Sequence, residues 1–291
     1  MRVSSTVADL RRWLEGWRTE GSVIGLVPTM GNLHEGHAAL VRRAQALCDR
    51  VIVSVFVNPT QFGAGEDFAT YPRTPQDDER LLARLETDLL FRPEAEEIYP
   101  FGAGEATRVS VPGLSTILCG ASRPGHFDGV AGVVLRLFTI VRPDYAVFGE
   151  KDYQQCLLVR RLVTDLHLPL EIVMVPTVRE RDGLALSSRN RYLTATERLR
   201  APRLVAALRR LGARMEAGER DWATLEQEAA AELEEYGFRV EYVRVRRTED
   251  LGAPRPQDPP ASLRILAAAR LGRTRLIDNL PVFSAVEPSG S

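Results

Sequence analysis

Short apolar runs alternate with amphipathic stretches through residues 23–175, and few folds accommodate that rhythm. Val23–Met30 (VIGLVPTM) reads as a strand ended by Pro28 and Gly31, and Val51–Val57 (VIVSVFV) as a second one rich in β-branched residues. Between them, Gly36–Cys48 places Leu40, Val41, Ala44 and Leu47 at helical spacing. A strand–helix–strand unit implies a parallel pair, because the chain must cross over before it can pair again in the same direction. The spacing further predicts a helix over Asp77–Thr87, a strand at Leu89–Phe91 and an apolar helix over Val130–Arg142. A strand at Tyr145–Phe148, a helix over Asp152–Leu166 and a strand at Leu170–Val175 complete the series. The expected fold class is α/β, a doubly wound parallel sheet whose ligands bind at the carboxyl ends of its strands.

After Pro176 the single alternation stops. Two amphipathic helices, near Thr194–Ala217 and Asp221–Tyr236, precede strand-like segments at Arg239–Arg246, Leu263–Ala269 and Thr274–Asp278. We therefore expect two domains, residues 1–177 and a smaller C-terminal α+β domain over 178–291. The Pro-rich Ala253–Pro260 reads as a surface loop inside the second. Basic and acidic residues number 18 and 22 up to residue 177, and 20 and 17 after it. That asymmetry permits a second domain that closes over phosphates.

The formal charge of −1 argues against nucleic acid or an anionic membrane as a whole-chain partner. Cys48, Cys119 and Cys156 are odd in number and widely spaced, which indicates neither a disulfide scaffold nor a thiolate zinc site. Met1–Leu10 has no apolar signal core, and the longest apolar run, Val130–Val141, is too short for a bilayer and contains Arg136. A cytoplasmic protein is expected. Of the 38 basic residues, 37 are Arg and one, Lys151, is Lys. In such a chain a lone ammonium is either chance or a point charge used where a planar guanidinium does not fit, such as against a phosphate.

Four segments carry residues suited to chemistry. Pro28–His37 (PTMGNLHEGH) lies where the first strand passes into the first helix. His34 and His37 can share one side of the helix start, Gly31 and Gly36 allow close backbone approach, and the helix amino end favours an anion. A metal pair or ordinary surface histidines are the alternatives. Gly149–Asp152 (GEKD) puts Lys151 at another strand end, where Asp152 serves equally as a helix cap. Gln155, one turn on, faces the same cleft or solvent. Asn58–Phe62 (NPTQF) offers the amides of Asn58 and Gln61 to a hydroxy acid, or is a capped turn. Leu186–Asn190 (LSSRN) holds two hydroxyls and a guanidinium, good phosphate donors or a plain polar loop. Asp77 and Asp78 suit Mg²⁺ or helix capping, and Arg123–Gly129 (RPGHFDG) adds a cation and a third histidine. No nucleophile with an evident base, G-x-G-x-x-G or Walker sequence occurs, so the inventory suits nucleotidyl transfer by positioning and charge stabilisation.

PTMGNLHEGH, VFVNPTQF, YPRT, RPGHFDGV, FGEKDYQQ and LSSRNRYL, spread in that order over residues 28–193, closely resemble the pantoate–β-alanine ligase family of the H-x-G-H nucleotidyltransferase superfamily. Leu186 stands where that family often has Met, and Asn32 where Ala is frequent. The resemblance implies a Rossmann-like nucleotide- and pantoate-binding domain, a C-terminal lid domain and a cytoplasmic homodimer. It implies a two-step reaction with ATP as substrate and Mg²⁺ as cofactor: pantoate is adenylated, then β-alanine displaces AMP. Met30, Gly31, Asn32, Leu33, His34, Glu35, Gly36 and His37 would line the ATP site, with His37 the proton donor and His34 beside it. Gly149, Glu150, Lys151 and Asp152 would hold ribose and phosphates, and Val178, Leu186, Ser187, Ser188 and Arg189 would complete the pocket. Gln61, Gln155 and Asn58 would bind substrate, and Asp78 would lie on the Mg²⁺ side. Two other classes fit the residues less well: a nucleotidyltransferase with a stable nucleotide product, which has no use for NPTQF, and a non-catalytic nucleotide-binding module.

Overall fold

The computed structural model describes residues 1–63 and 65–282. The described chain divides into two compact units, residues 1–150 with 154–178, and residues 151–153 with 179–282.

The first unit is built on six parallel strands: β1 (Arg2–Ser4), β2 (Ile24–Thr29), β3 (Arg50–Val55), β4 (Leu89–Phe91), β5 (Tyr145–Gly149) and β6 (Glu171–Val175). Their order is β1-β4-β3-β2-β5-β6. From β2 the chain winds outward through β3 and β4, then returns to lay β5 along the other side of β2. The direction of winding reverses at β2, which is where a doubly wound sheet opens a crevice at its carboxyl edge. The amino edge is tied shut by aspartates that immediately precede three strands. Asp49 accepts from Val23 N at 2.8 Å, Asp88 from Val51 N at 2.9 Å and Asp144 from Ile24 N at 2.7 Å. These carboxylates satisfy donors that the ladder leaves open.

Val27, Val53, Leu90, Val147 and Val173, from β2 to β6, meet Leu40, Val41 and Ala44 of helix Glu35–Gln45 and Leu82 of helix Pro75–Arg84. Gly25 lets the turn after the first of these helices approach, since a Cβ there would stand 2.7 Å from Cys48 Sγ. The expected strands and helices are present with ends shifted by a few residues, and the two elements ahead of β2 were not anticipated. One is β1, too short to show alternation. The other is helix Val7–Thr19, capped by Thr6, whose buried Leu10, Leu14 and Trp17 are interleaved with charged residues. The helix expected from Val130 begins at His126.

In the second unit, β7 (Phe238–Arg247), β8 (Leu263–Leu271) and β9 (Thr274–Pro281) form an antiparallel sheet. Leu204, Leu208 and Met215 of helix Arg203–Glu216, with Leu225 and Leu233 of helix Trp222–Glu235, pack on Val243, Ile265, Ala267 and Leu276. The single helix expected over Thr194–Ala217 is two, Ala195–Arg200 and Arg203–Glu216. Pro202 lacks the N–H that would continue the first of them. Among the described residues no helix is long and apolar enough to cross a membrane.

Candidate active site

β2 ends at Thr29, and Met30–His34 lead into helix Glu35–Gln45. Gly31 has φ +82° and Asn32 φ +50°, left-handed values that glycine takes freely and asparagine more readily than alanine. A Cβ on Gly31 would stand 2.9 Å from Asp78 Oδ2 and from Val55 Cγ1. The loop is held in this shape by Asp78, which is 2% exposed. Its carboxylate accepts from Asn32 N at 3.0 Å, Leu33 N at 2.8 Å and Thr74 Oγ1 at 3.1 Å. Asp78, expected on the Mg²⁺ side, holds this loop: its two oxygens accept three donors inside the protein. No group of three or more His, Cys, Asp or Glu side chains gathers to hold a metal among the described residues.

His34 and His37 cap the helix reciprocally. His34 Nδ1 accepts from Gly36 N at 3.1 Å, and His37 Nδ1 accepts from His34 N at 3.2 Å. With Nδ1 of both rings used as an acceptor, each neutral imidazole carries its proton on Nε2. The rings lie together, centroids 4.1 Å apart. Both Nε2–H groups stand at the amino end of a helix, at the carboxyl edge of the switch strand, where the helix dipole favours an anion.

The amides after β3 divide their labour. Asn58 is 1% exposed and Gln61 9%. Asn58 Oδ1 accepts from Thr60 N at 3.3 Å, Thr60 Oγ1 at 2.9 Å and Tyr99 OH at 2.7 Å. Its Nδ2 donates to Gln61 Oε1 and Gly129 O, each at 3.1 Å. Asn58, expected to contact substrate, uses its amide within the protein and fixes which way the Gln61 amide faces. Gln61 Nε2 is thereby directed toward Met30 Sδ, 3.0 Å away, and the two predicted segments join. Burial pushes the Tyr99 hydroxyl above its ordinary pKa, which keeps it a donor.

A third segment supports the same turn. His126 Nδ1 donates to Gln61 O at 2.8 Å while its Nε2 accepts from Arg123 Nη1 at 2.9 Å, the tautomer opposite to that of His34 and His37. Arg123 also donates to both Glu66 oxygens at 2.6 Å. Burial raises the Glu66 carboxyl, but the Arg123 hydrogen bonds and charge, with Gly63 N–H and His126, outweigh it and hold Glu66 at about 2. Gly129 allows the helix to touch this turn, since a Cβ there would stand 2.2 Å from Thr60 O.

β5 runs beside β2 and ends at Gly149, followed by the 3₁₀ turn Glu150–Asp152. Cys156 Sγ donates to Gly149 O at 3.3 Å. Gln155 is half-buried, whereas its neighbour Gln154 is buried and spent on the backbone of Leu114, Ile117 and Cys119. Lys151 belongs with the second unit. So do Leu186, Ser187, Ser188 and Arg189, all half-buried, where Ser187 Oγ accepts from Arg189 N at 3.3 Å. Val178, half-buried, closes the first unit. The structure thus brings Met30–His37, Asn58, Gln61 and Asp78 into one bonded network of the first unit and Lys151 and Ser187–Arg189 into the second. Sequence reasoning missed Thr74, Tyr99, Glu66, Asp278 and Asn279. Thr74 and Asp78 sit four apart in one turn, a local signal; the others act across long separations that leave none.

Paired imidazoles at a helix start beyond the switch strand of a doubly wound sheet define an α/β enzyme of the phosphate-handling kind. The comparisons specify which. A family model described as pantoate-beta-alanine ligase matches residues 2–281. The pantothenate synthetase of Thioalkalivibrio sulfidiphilus is 55% identical over 290 residues, covering 100% of both chains, and that of Pseudomonas putida is 53% identical over 96% of this chain and 97% of its own. The crystal structure of pantothenate synthetase from Thermus thermophilus superposes with a TM-score of 0.90 at 49% identity, over 98% of this chain and 100% of that one. The pantoate-beta-alanine ligase of Francisella tularensis, complexed with beta-gamma ATP and beta-alanine, gives 0.82 at 36% identity over 97% and 98%. The chain belongs to the pantoate–β-alanine ligase family, enzymes of pantothenate-forming condensation.

Proposed function

We propose that this enzyme joins (R)-pantoate to β-alanine in two ATP-dependent steps. A pantoate carboxylate oxygen attacks the α-phosphorus of ATP, the bond to pyrophosphate breaks, and pantoyl adenylate forms. The β-alanine amine then attacks the acyl carbon, the bond to the AMP oxygen breaks, the amine gives up a proton, and pantothenate and AMP leave. Activation comes first because a carboxylate is a poor acyl donor and a mixed anhydride a good one.

The observation that carries this assignment is the reciprocal His34–His37 cap, which commits both Nδ1 atoms to the backbone and so places the ring protons on Nε2. Donors preset where phosphate charge develops lower the barrier without reorganising during the reaction. In this scheme His37 donates to the departing pyrophosphate and His34 to a neighbouring oxygen. Met30–Leu33, Glu35 and Gly36 line the nucleotide, and Gly149, Glu150 and Asp152 face its ribose and phosphates. Lys151 takes the transferred charge, and Val178 with Leu186–Arg189 completes the nucleotide contacts. Gln61 and Gln155 hold pantoate, with Gln61 also meeting β-alanine. The Francisella tularensis relative, complexed with beta-gamma ATP and beta-alanine, supports ATP and β-alanine as substrates. Mg²⁺ enters with the nucleotide as part of that substrate, while Asp78 holds the loop through Asn32 and Leu33. A cytoplasmic homodimer belongs to the same proposal.

The test is mass-spectrometric detection of pantothenate from pantoate, β-alanine and MgATP, with AMP and pyrophosphate in equal yield. Product that retains the nucleotide assigns the chain to another nucleotidyltransferase, and ATP binding without turnover makes it a binding module.

A further inference from the structure

The sheet of the second unit buries Arg264, Asp278 and Asn279, which are 6%, 3% and 4% exposed, among aliphatic residues. Buried polar side chains in a small sheet cost more than the aliphatic residues around them unless each is fully bonded. The bonds these residues make lead to the two segments of this unit already assigned to phosphate.

Asp278 grips Arg179 bidentately, accepting from Nη1 at 2.7 Å and Nη2 at 2.8 Å. Arg179 Nη1 also donates to Gly183 O at 3.1 Å, and Arg179 bridges Ala185 as a β-pair. Residues 179–185 thereby form a tight hairpin, closed by Gly183 N to Glu180 O and Glu180 N to Leu184 O, each 2.8 Å. Leu186–Arg189 follow directly, and Asn190 Nδ2 returns to Ala185 O at 3.1 Å. The Ser187–Arg189 loop is therefore based on a hairpin that Asp278 holds.

Asn279 is the next residue, and adjacent side chains of a strand point to opposite faces. Its Nδ2 donates to Lys151 O at 3.0 Å, and its Oδ1 accepts from Arg264 Nη1. The Arg264 guanidinium lies 3.7 Å over the Tyr153 ring, whose hydroxyl donates to Thr248 O at 2.9 Å. The backbone of the only lysine is thus anchored in β9 although the residue follows β5 in the chain.

We propose that the consecutive pair Asp278–Asn279 is a positioning device for the adenylating step, with Asn279 setting Lys151 and Asp278 setting the Ser187–Arg189 loop. This rests on the function proposed above. Because Lys151 is assigned to charge that grows in the transition state, disturbing its anchor lowers kcat and leaves the KM for ATP nearly unchanged. Disturbing the hairpin acts on donors that already hold the ground-state nucleotide, so it raises the KM for ATP.

The experiment compares wild type, Asn279→Asp and Asp278→Asn in pantoate-dependent ATP–pyrophosphate exchange, in amide formation from supplied pantoyl adenylate, and in urea unfolding. Asn279→Asp keeps an acceptor for Arg264, replaces the donor to Lys151 O by a second acceptor and adds a carboxylate charge beside the Arg264 guanidinium. We expect its exchange kcat to fall about 10- to 100-fold, as a misplaced catalytic group does, with the urea midpoint and the second half-reaction preserved. Asp278→Asn is expected to raise the KM for ATP about 5- to 20-fold, a loss typical of one charge-assisted pair. Undiminished exchange in Asn279→Asp, or parallel loss of both half-reactions and of stability, overturns the device while the ligase assignment stands. Wild type without exchange overturns the functional proposal and this inference with it.

Discussion

Asp78→Asn separates a loop clamp from a metal ligand. The carboxylate takes two backbone N–H groups and one hydroxyl, at 2.8 to 3.1 Å. In the variant the amide oxygen can keep Leu33 N and Thr74 Oγ1, which share Oδ1, but the new NH₂ then faces Asn32 N, donor against donor. One charge-assisted bond contributes about 1.5–3 kcal/mol, and a buried N–H left unpaired adds to its loss. We expect the first unit to lose about 2–4 kcal/mol, a large part of an ordinary domain's ~5–15 kcal/mol. In a Trp222→Phe background, Trp13 and Trp17 are the remaining tryptophans, and both lie in the first unit. Their fluorescence follows its urea unfolding alone. The Mg²⁺ concentration needed for half-maximal turnover should stay at the wild-type value while turnover itself drops. A stability change below about 0.5 kcal/mol, together with a raised Mg²⁺ requirement, would refute the clamp and return Asp78 to the metal.

Three further outcomes are expected. Lys151→Ala should reduce pantoate-dependent pyrophosphate exchange about 100- to 1000-fold with an unchanged circular dichroism spectrum, and near-normal exchange would remove Lys151 from the chemistry. Gly129→Ala drives a Cβ to within 2.2 Å of Thr60 O and 2.7 Å of Gln61 Cα. Titration should show a raised KM for pantoate before any change in the KM for ATP. Glu66 is held at about 2 in the fold against an ordinary 4.5, so its stabilisation is complete above pH 4.5 and lost as pH falls toward 2. Urea midpoints at pH 6 and pH 3 should differ more for wild type than for Glu66→Gln, and equal differences would detach Glu66 from acid sensitivity.

Much of the molecule is legible along the chain because its causes are local. Strand and helix periods announce the parallel sheet, and PTMGNLHEGH shows a strand end, two glycines and a histidine pair at a helix start within ten residues. The switch strand could be guessed once the alternation was seen, since winding rules leave few topologies. Helix Val7–Thr19 was lost because three buried residues among charges make a thin stripe, and β1 because three residues carry no period.

What the tertiary structure alone decided is the division of tasks among residues of like chemistry. NPTQF presents two amides that look alike on paper; Tyr99 and Gly129, 41 and 71 positions away, engage Asn58 and so aim Gln61. Asp78 could equally meet Mg²⁺ or cap a helix until folding brings Asn32 N and Leu33 N to its oxygens. Lys151 shows its rarity in the sequence but not its anchor, because Asn279 reaches it across 128 residues. Composition and period set which groups are available. A side chain's role depends on which partners consume its few hydrogen bonds, and only the folded chain brings those partners together.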